Sequence, residues 1–175
     1  MSSRARLAAG AAGLLVVVGI GLYFLGDALT SDDDSGASRV ATKLEAAVAH
    51  AKPAVGELSR LSETTVHVGD EQLRVAVADD EPERHQGLRG RNDIAGYGGM
   101  LFVFDAPTST PFTMSTVRTP LDIGFYAADG HAVDRLRMEP CRFAASDCPL
   151  YRADGSFSYA IETLPGDLPF GRLSG

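Results

Sequence analysis

GMLFVF, residues 99–104, is a dense apolar run bounded by glycine on one side and by Asp105-Ala106-Pro107 on the other. Six apolar residues between such turn signals are typical of a strand that is buried on both faces. We therefore expect a β-rich domain that has this strand near the centre of its sheet.

The residues before this run predict a hairpin and a short helix. Residues 66–68 and 73–77 alternate between apolar and polar side chains, and Gly69-Asp70 between them supplies a turn. Asp80 is followed three residues later by Glu83, which is a capping-box pattern. We expect two strands and then a helix of one to two turns.

The residues after the run predict four further strands, which are separated by turn signals. These strands cover residues 112–114, 123–126, 132–138 and 157–163. Short strands with frequent turns and one short helix predict a mainly β domain of the β-rich α+β class, built as a compact antiparallel barrel or sandwich. A parallel sheet is not expected, because it needs crossover helices that this pattern lacks.

The N-terminal end of the chain predicts a membrane anchor. Leu7 to Leu25 is uncharged and, as a helix, spans about 28 Å. Arg4 and Arg6 precede it, and basic residues favour the cytoplasmic side. We expect a single-pass protein of the cell membrane with its N-terminus inside and its C-terminal domain outside. The alternative is a signal segment whose cleavage releases a secreted protein.

These features divide the chain into three parts. Residues 1–29 are a cytoplasmic cap and transmembrane anchor, residues 30–62 a flexible linker with room for a short helix, and residues 63–175 the β-rich domain. The formal net charge of −7 argues against nucleic acid as a partner, because phosphate backbones repel an acidic surface. The expected partners are the membrane, through the N-terminal helix, and an envelope component or membrane protein.

The two cysteines, Cys141 and Cys148, both lie in the part expected outside the membrane. An even number of cysteines in an oxidising compartment favours a disulfide over a metal site, and the six residues between them exceed the spacing of a zinc knuckle. The histidines are scattered along the sequence without a metal-ligand spacing. The sequence therefore predicts a disulfide, and neither a metal site nor a cofactor.

Four residues form the candidate binding site. Arg91, Arg118 and Asp122 are charged residues near predicted turns, and Met114 lies beside a predicted strand. The three charged residues, together with Arg89 and Arg135, could bind a carboxylate or a sugar at the rim of a barrel. The competing interpretation of Asp122 is structural, because a carboxylate at the entrance to a strand commonly accepts hydrogen bonds from turn amides.

Several ordered motifs resemble the family known as domain of unknown function 192. They are Gly87-Leu88 with Arg91, GMLFVF, Phe112-Thr113-Met114, Thr119 to Ile123, Met138 to Cys141 and Cys148 to Tyr151. The resemblance covers about residues 64–166 and implies a small β-rich domain, often exported or membrane-anchored, with no established activity. The chain departs from the usual family pattern between Phe112 and Pro120. An aromatic residue after the phenylalanine and a Lys-Asn-Thr-like turn are usual there, whereas this chain has Thr113 and Ser115-Thr116-Val117.

Three functions follow as hypotheses. The first is a non-enzymatic, membrane-tethered module that binds an envelope component, such as a glycan or peptide, or assists a membrane partner. The second is an enzyme acting on envelope material, with Asp122 as acid or base and Arg91 or Arg118 orienting an anion. The third is a carrier of a soft metal such as Cu(I), which would use the thioether sulfurs of the methionines. These three methionines are Met100, Met114 and Met138.

Overall fold

The structure, a computed structural model, describes residues 36–175, of which Ser38–Gly175 form one structural unit. The two α-helices of the described residues are α1, residues 36–49, and α2, Glu81–Gln86. Short 3-10 helices cover Gly56–Leu58 and Ala145–Asp147. The strands are β1 Lys52–Pro53, β2 Ser62–Val68, β3 Glu71–Ala78, β4 Gly99–Thr108, β5 Phe112–Thr113, β6 Leu121–Tyr126, β7 Ala132–Met138, β8 Leu150–Tyr151, β9 Phe157–Thr163 and β10 Leu173–Ser174.

One large sheet organises these residues. Its strand order is β1-β2-β3-β4-β9-β6-β7, with β10 also paired to β2, while β5 and β8 form a separate two-stranded sheet. The strand path is open, because it begins at β1 and ends at β7 without joining the two. The prediction of a β-rich domain is confirmed, but the sheet is not a closed barrel.

The hairpin and the short helix predicted from the sequence are both present. Val68 pairs with Glu71 across the β2–β3 turn, where Gly69 has a positive φ of 59°. The side chain of Asp80 accepts a hydrogen bond of 2.7 Å from the backbone N–H of Glu83 at the start of α2. Capping satisfies an amide that the first helical turn leaves without a partner. Local sequence signals therefore define both elements.

The expectation of a wholly antiparallel sheet is wrong for one pair of strands. β3 and β4 run parallel, with Val75 opposite Gly99 and Ala78 opposite Phe102. The twenty residues between these strands, 79–98, contain only the six-residue helix α2. A parallel connection needs a crossover of about a dozen residues, and this loop supplies that length with little helix.

Two hydrophobic clusters form on the sheet, one on each face. Strand alternation explains this, since successive side chains of β4 point to opposite faces. Met100 and Phe102 belong to the first cluster, which also contains Leu88 from beyond α2. Leu101 belongs to the second, which contains Leu44 from α1. The core is therefore built on one large mixed sheet, with α1 against one face and the residues beyond α2 and the small β5–β8 sheet against the other.

Helix α1 packs against the second face of the sheet. The Leu44 side chain is fully buried among Val66 and Leu173. The Thr64 hydroxyl donates a hydrogen bond of 2.9 Å to the carbonyl oxygen of Ala47 and so links β2 to the helix. Part of the stretch that the sequence assigns to a linker thus contributes to the core.

The predicted disulfide between Cys141 and Cys148 is confirmed. It closes a loop that leads into β8, and the backbone N–H of Cys141 donates to the carbonyl oxygen of Met114. The disulfide therefore ties the segment after β7 to the start of β8, and the hydrogen bond to Met114 ties the same segment to the turn that follows β5.

That turn contains a strained residue. Thr116 has a φ of 65°, in the left-handed region that a β-branched side chain rarely adopts. We expect Thr116→Asn to raise the free energy of unfolding by about 1 kcal/mol, because asparagine tolerates this conformation better. Thermal unfolding of the full chain measures the change. Thr119→Asn is the control, because the backbone of Thr119 is not in this region. A lower midpoint for Thr116→Asn than for Thr119→Asn would contradict the strain.

Within residues 36–175, no helix has the length and apolar composition that crossing a bilayer requires. The predicted anchor, Leu7 to Leu25, lies outside the described residues. It therefore stays a prediction.

Candidate functional site

Glu162 is an acidic residue in the centre of the sheet. It lies on β9, opposite Met100 of β4 on one side and Ile123 of β6 on the other. Alternation along β9 places it on the same face as Ala160, which belongs to the cluster that contains the phenylalanines. Only 6% of Glu162 is exposed. A carboxyl group is therefore held within an apolar surface.

Glu162 is one of the residues that line a cavity of about 410 Å³. Phe102 and Phe104 of β4 and Phe112 of β5 form its aromatic wall, and Leu88 closes it beyond α2. The Phe102 and Phe112 rings pack edge to face with centroids 5.1 Å apart. The lining also carries other polar and charged side chains, namely Glu81, Arg84, His85, Gln86, Arg89, Thr110 and Thr113. A partly enclosed cavity with an apolar wall and a few polar groups is the usual form of a small-molecule site.

The electrostatics of Glu162 follow from its burial. Burial raises the pKa of this carboxyl from its ordinary value to about 8, and no hydrogen bond or charge from the described residues offsets the effect. Within residues 36–175, every side-chain polar atom that is sealed from solvent has a hydrogen-bond partner. The carboxyl oxygens of Glu162 therefore face the cavity, and at neutral pH most of these carboxyls carry a proton.

Two arginines stand at the rim of the cavity. The Arg84 guanidinium donates a hydrogen bond of 2.8 Å to the carbonyl oxygen of Val103 and lies 5.2 Å from the centroid of the Phe104 ring. Arg89 donates to the carbonyl oxygens of His85, at 2.9 Å, and Ser115, at 3.1 Å. These contacts join α2 and the turn after β5 to the rest of the domain, so both walls of the cavity are held in place.

Asp122, a residue of the predicted site, lies in a different cleft. Its side chain pairs with Arg137 across the β6–β7 hairpin and accepts a hydrogen bond of 2.7 Å from the backbone N–H of Gly166. Burial opposes ionisation of this carboxyl, but the hydrogen bonds from Arg137 and Gly166 outweigh it and lower the pKa of Asp122. A carboxylate that is paired in this way is suited to holding a loop on the sheet.

We expect Asp122→Asn to lower the free energy of unfolding at neutral pH by about 1–2 kcal/mol, because it removes the charge that Arg137 and the Gly166 amide contact. The folded-state pKa is depressed, so this stability is present above the unfolded-state pKa and is lost as pH falls through the folded-state value. Chemical denaturation at neutral and strongly acidic pH measures the difference. An equal deficit at both pH values would contradict the ionic role.

The other three residues of the predicted site do not join Asp122. Arg91 forms an ion pair of 2.6 Å with Glu57, and its carbonyl oxygen accepts a hydrogen bond from the backbone N–H of Arg118. Arg118 is exposed, whereas Met114 is fully buried. The structure thus brings Arg91 and Arg118 together through the backbone and places Met114 in the core.

The three methionines considered for metal binding all lie in the first hydrophobic cluster. Met100, Met114 and Met138 are each fully buried there. Thioether side chains commonly fill gaps in cores of this kind. Their sulfurs could meet a metal ion only if the core opened.

Sequence reasoning missed Glu162, although β9 carried a signal. The strand reads FSYAIET, residues 157–163, and Glu162 is its single charged residue. Pairing on both sides of β9 buries the strand, so an acid at an inward position must face either a partner or a cavity. The position of the cavity depends on α2 and on the turn after β5, which the strand pattern does not contain.

Two solved structures are similar to this chain. A protein of unknown function from Novosphingobium aromaticivorans matches with a TM-score of 0.58 and 24% identity, over 74% of this chain and 96% of that one. A protein from Sinorhizobium meliloti, described provisionally as a transcription regulator, matches with a TM-score of 0.52 and 27% identity, over 63% of this chain and 90% of that one. The first likeness concerns the fold alone.

A search of curated proteins finds no match to this chain. Residues 64–168 match the DUF192 family, which is described as "Uncharacterized ACR, COG1430". This match begins within β2, extends past the end of β9 and includes every residue that lines the cavity containing Glu162. The chain therefore belongs to this family of uncharacterised proteins, as the sequence motifs indicated.

Proposed function

We propose that this protein is a membrane-tethered extracytoplasmic module that binds a small ligand of the cell envelope in the cavity around Glu162. One observation carries the proposal: Glu162 is 6% exposed, its carboxyl has no hydrogen-bond partner among the described residues, and it opens onto a cavity of about 410 Å³. A hydrogen bond or ion pair is stronger in an apolar environment than in water, so a ligand that supplies a partner for this carboxyl gains affinity.

Two further features support the extracytoplasmic setting. Leu7 to Leu25 predicts a membrane anchor with the domain outside. Disulfides such as Cys141–Cys148 persist mainly in oxidising compartments. We do not propose transcriptional regulation, the role attached provisionally to the Sinorhizobium protein, because a net charge of −7 disfavours contact with nucleic acid.

For the enzyme hypothesis, Glu162 is a better candidate than Asp122 for the general acid or base. A carboxyl whose pKa is raised to about 8 is suited to proton transfer near neutral pH, whereas the lowered pKa of Asp122 is not. Among the described residues, however, no second titratable side chain shares a hydrogen bond with Glu162. General acid–base catalysis by Glu162 would need a second group in contact with it or with the substrate, whereas ligand binding does not.

The test is retention of a natural ligand by the full chain. The protein is purified in non-ionic detergent from cells that produce it, and bound small molecules are released with organic solvent and identified by mass spectrometry. Thr113→Trp fills the rim of the cavity with an aromatic side chain of the kind usual in the family at this position. Val55→Trp is the matched control, because Val55 is 59% exposed and lies outside the cavity.

We expect one or more compounds to accompany the wild type and Val55→Trp and to be depleted from Thr113→Trp. Equal recovery from wild type and Thr113→Trp would place the ligand elsewhere and contradict the proposal. Recovery of nothing from any of the three would also count against it.

A further inference from the structure

The cavity around Glu162 combines an acidic group with an aromatic wall. Phe102, Phe104 and Phe112 form that wall, and the Glu162 carboxyl stands beside them. The Phe104 ring already has the Arg84 guanidinium 5.2 Å from its centroid. Aromatic faces attract cations through their quadrupole, so this wall suits a positive charge as well as apolar carbon.

The Glu162 carboxyl gains most from a cationic ligand. A neutral ligand can accept one hydrogen bond from the protonated carboxyl. A cation also restores the charged form that burial disfavours, because an opposite charge nearby stabilises a buried carboxylate. The net charge of −7 further favours the approach of cations over that of anions.

The charged and titratable side chains that line the cavity beside Glu162 are Glu81, Arg84, His85 and Arg89. The guanidinium groups of Arg84 and Arg89 donate hydrogen bonds to the carbonyl oxygens of Val103 and Ser115. These hydrogen bonds hold both arginines in place without a ligand. Their charges favour an anion at the rim, and a carboxylate is therefore the natural competing ligand. The choice between a cation at Glu162 and an anion at the rim can be measured.

We propose that the cavity binds an organic ammonium ion, with the charged nitrogen against the Glu162 carboxylate and the carbon substituents against the phenylalanine rings. This inference rests on the proposed ligand-binding function and specifies its chemical class. Binding requires Glu162 to release its proton, so the complex forms with proton release and tightens as pH rises.

The probe is benzyltrimethylammonium, which keeps its positive charge at every pH. Calorimetric titration of the full chain in non-ionic detergent measures its affinity at pH 6, 7, 8 and 9, beside neutral benzyl alcohol and anionic benzoate. With the pKa of Glu162 at about 8, the affinity rises roughly 50-fold from pH 6 to pH 8 and changes little above that. The ammonium probe binds more tightly than either comparison compound at pH 8.

Two variants locate the probe. Glu162→Gln keeps the size of the side chain and removes its charge, so the ammonium probe loses its pH-dependent affinity. Thr113→Trp blocks the rim and lowers the affinity at every pH, while Val55→Trp binds as the wild type does. An affinity that stays constant with pH, or is unchanged in Glu162→Gln, overturns the ammonium assignment.

The results separate the two proposals. Binding of benzoate or benzyl alcohol that Thr113→Trp abolishes, without ammonium binding, overturns the ammonium assignment and leaves the cavity as a ligand site. Recovery of a natural ligand from the cavity, together with no binding of the ammonium probe, also overturns the ammonium assignment and leaves the cavity as a ligand site. If no probe binds and no natural ligand is recovered, both proposals fail.

Discussion

Glu162→Gln is expected to make the protein more stable than the wild type in mildly alkaline solution. The folded state of the wild type holds a proton on Glu162 to about pH 8, whereas the unfolded chain loses it near pH 4.5. Wild-type stability is therefore greatest below the unfolded-state pKa and falls as pH rises toward the folded-state value. Glutamine has no charge to bury, so its variant avoids this loss.

The expected size of the effect is large for a single substitution. Between pH 5 and pH 9 the wild type should lose on the order of 4 kcal/mol that Glu162→Gln retains, because each pKa unit corresponds to about 1.4 kcal/mol. Urea denaturation of the full chain across this pH range measures the difference. Glu71→Gln is the control, since it makes the same substitution at an exposed position. Parallel stability profiles for wild type and Glu162→Gln would contradict a buried, unpartnered acid.

Leu44→Ala is expected to destabilise the protein by about 3 kcal/mol. The Leu44 side chain is fully buried against the second face of the sheet, and truncating a buried leucine removes its packing and leaves a cavity. Glu45→Ala removes an exposed side chain from the same helix and should change stability by less than about 0.5 kcal/mol. Thermal and urea unfolding of the full chain measure both variants.

Helix α1 is central to this second prediction. If Leu44→Ala and Glu45→Ala unfold at the same urea concentration, the helix does not contribute to the folded core. If only Leu44→Ala is weakened, the core begins at least as early as α1. The cavity around Glu162 lies on the other face, so its ligand affinity should be unchanged in a folded Leu44→Ala protein.

The sequence predicted the elements that depend on local pattern. The alternation of residues 66–68 and 73–77 and the Gly69 turn gave the first hairpin, and the Asp80 cap gave α2. Each of these signals acts within a few residues, so no tertiary information is required. The disulfide followed from cysteine number and compartment, which are also independent of the fold.

The features that were missed depend on contacts between distant segments. The parallel pairing of β3 and β4 is decided by where a twenty-residue loop returns the chain, and not by the residues of either strand. The core needs α1 to cover one face of the large sheet, whereas the sequence pattern assigned that helix to a flexible linker and gave no sign of the burial of Leu44. Sequence pattern defined the strands but not the layers they belong to.

In the candidate site, too, local features could be predicted from the sequence, whereas features that depend on distant contacts could not. Asp122 was selected for its position before a strand, and its structural alternative agrees with the hydrogen bond from Gly166. Its partner Arg137 follows from the register of the β6–β7 hairpin, which the sequence did not fix. Glu162 could be identified only from the structure, in which β9 lies between β4 and β6 and Glu162 lines a cavity.

The most direct test of this account is the titration of Glu162 itself. Infrared spectroscopy of the full chain detects the carbonyl band of a protonated carboxyl group, and comparison with Glu162→Gln assigns that band to Glu162. We predict a protonated carboxyl that persists at pH 7 and disappears with a midpoint near pH 8 in the absence of ligand. The contradicting result is a spectrum that shows all carboxyl groups ionised by pH 6 and that is identical in wild type and Glu162→Gln. It would contradict the central claim that Glu162 is a buried acid facing an open cavity.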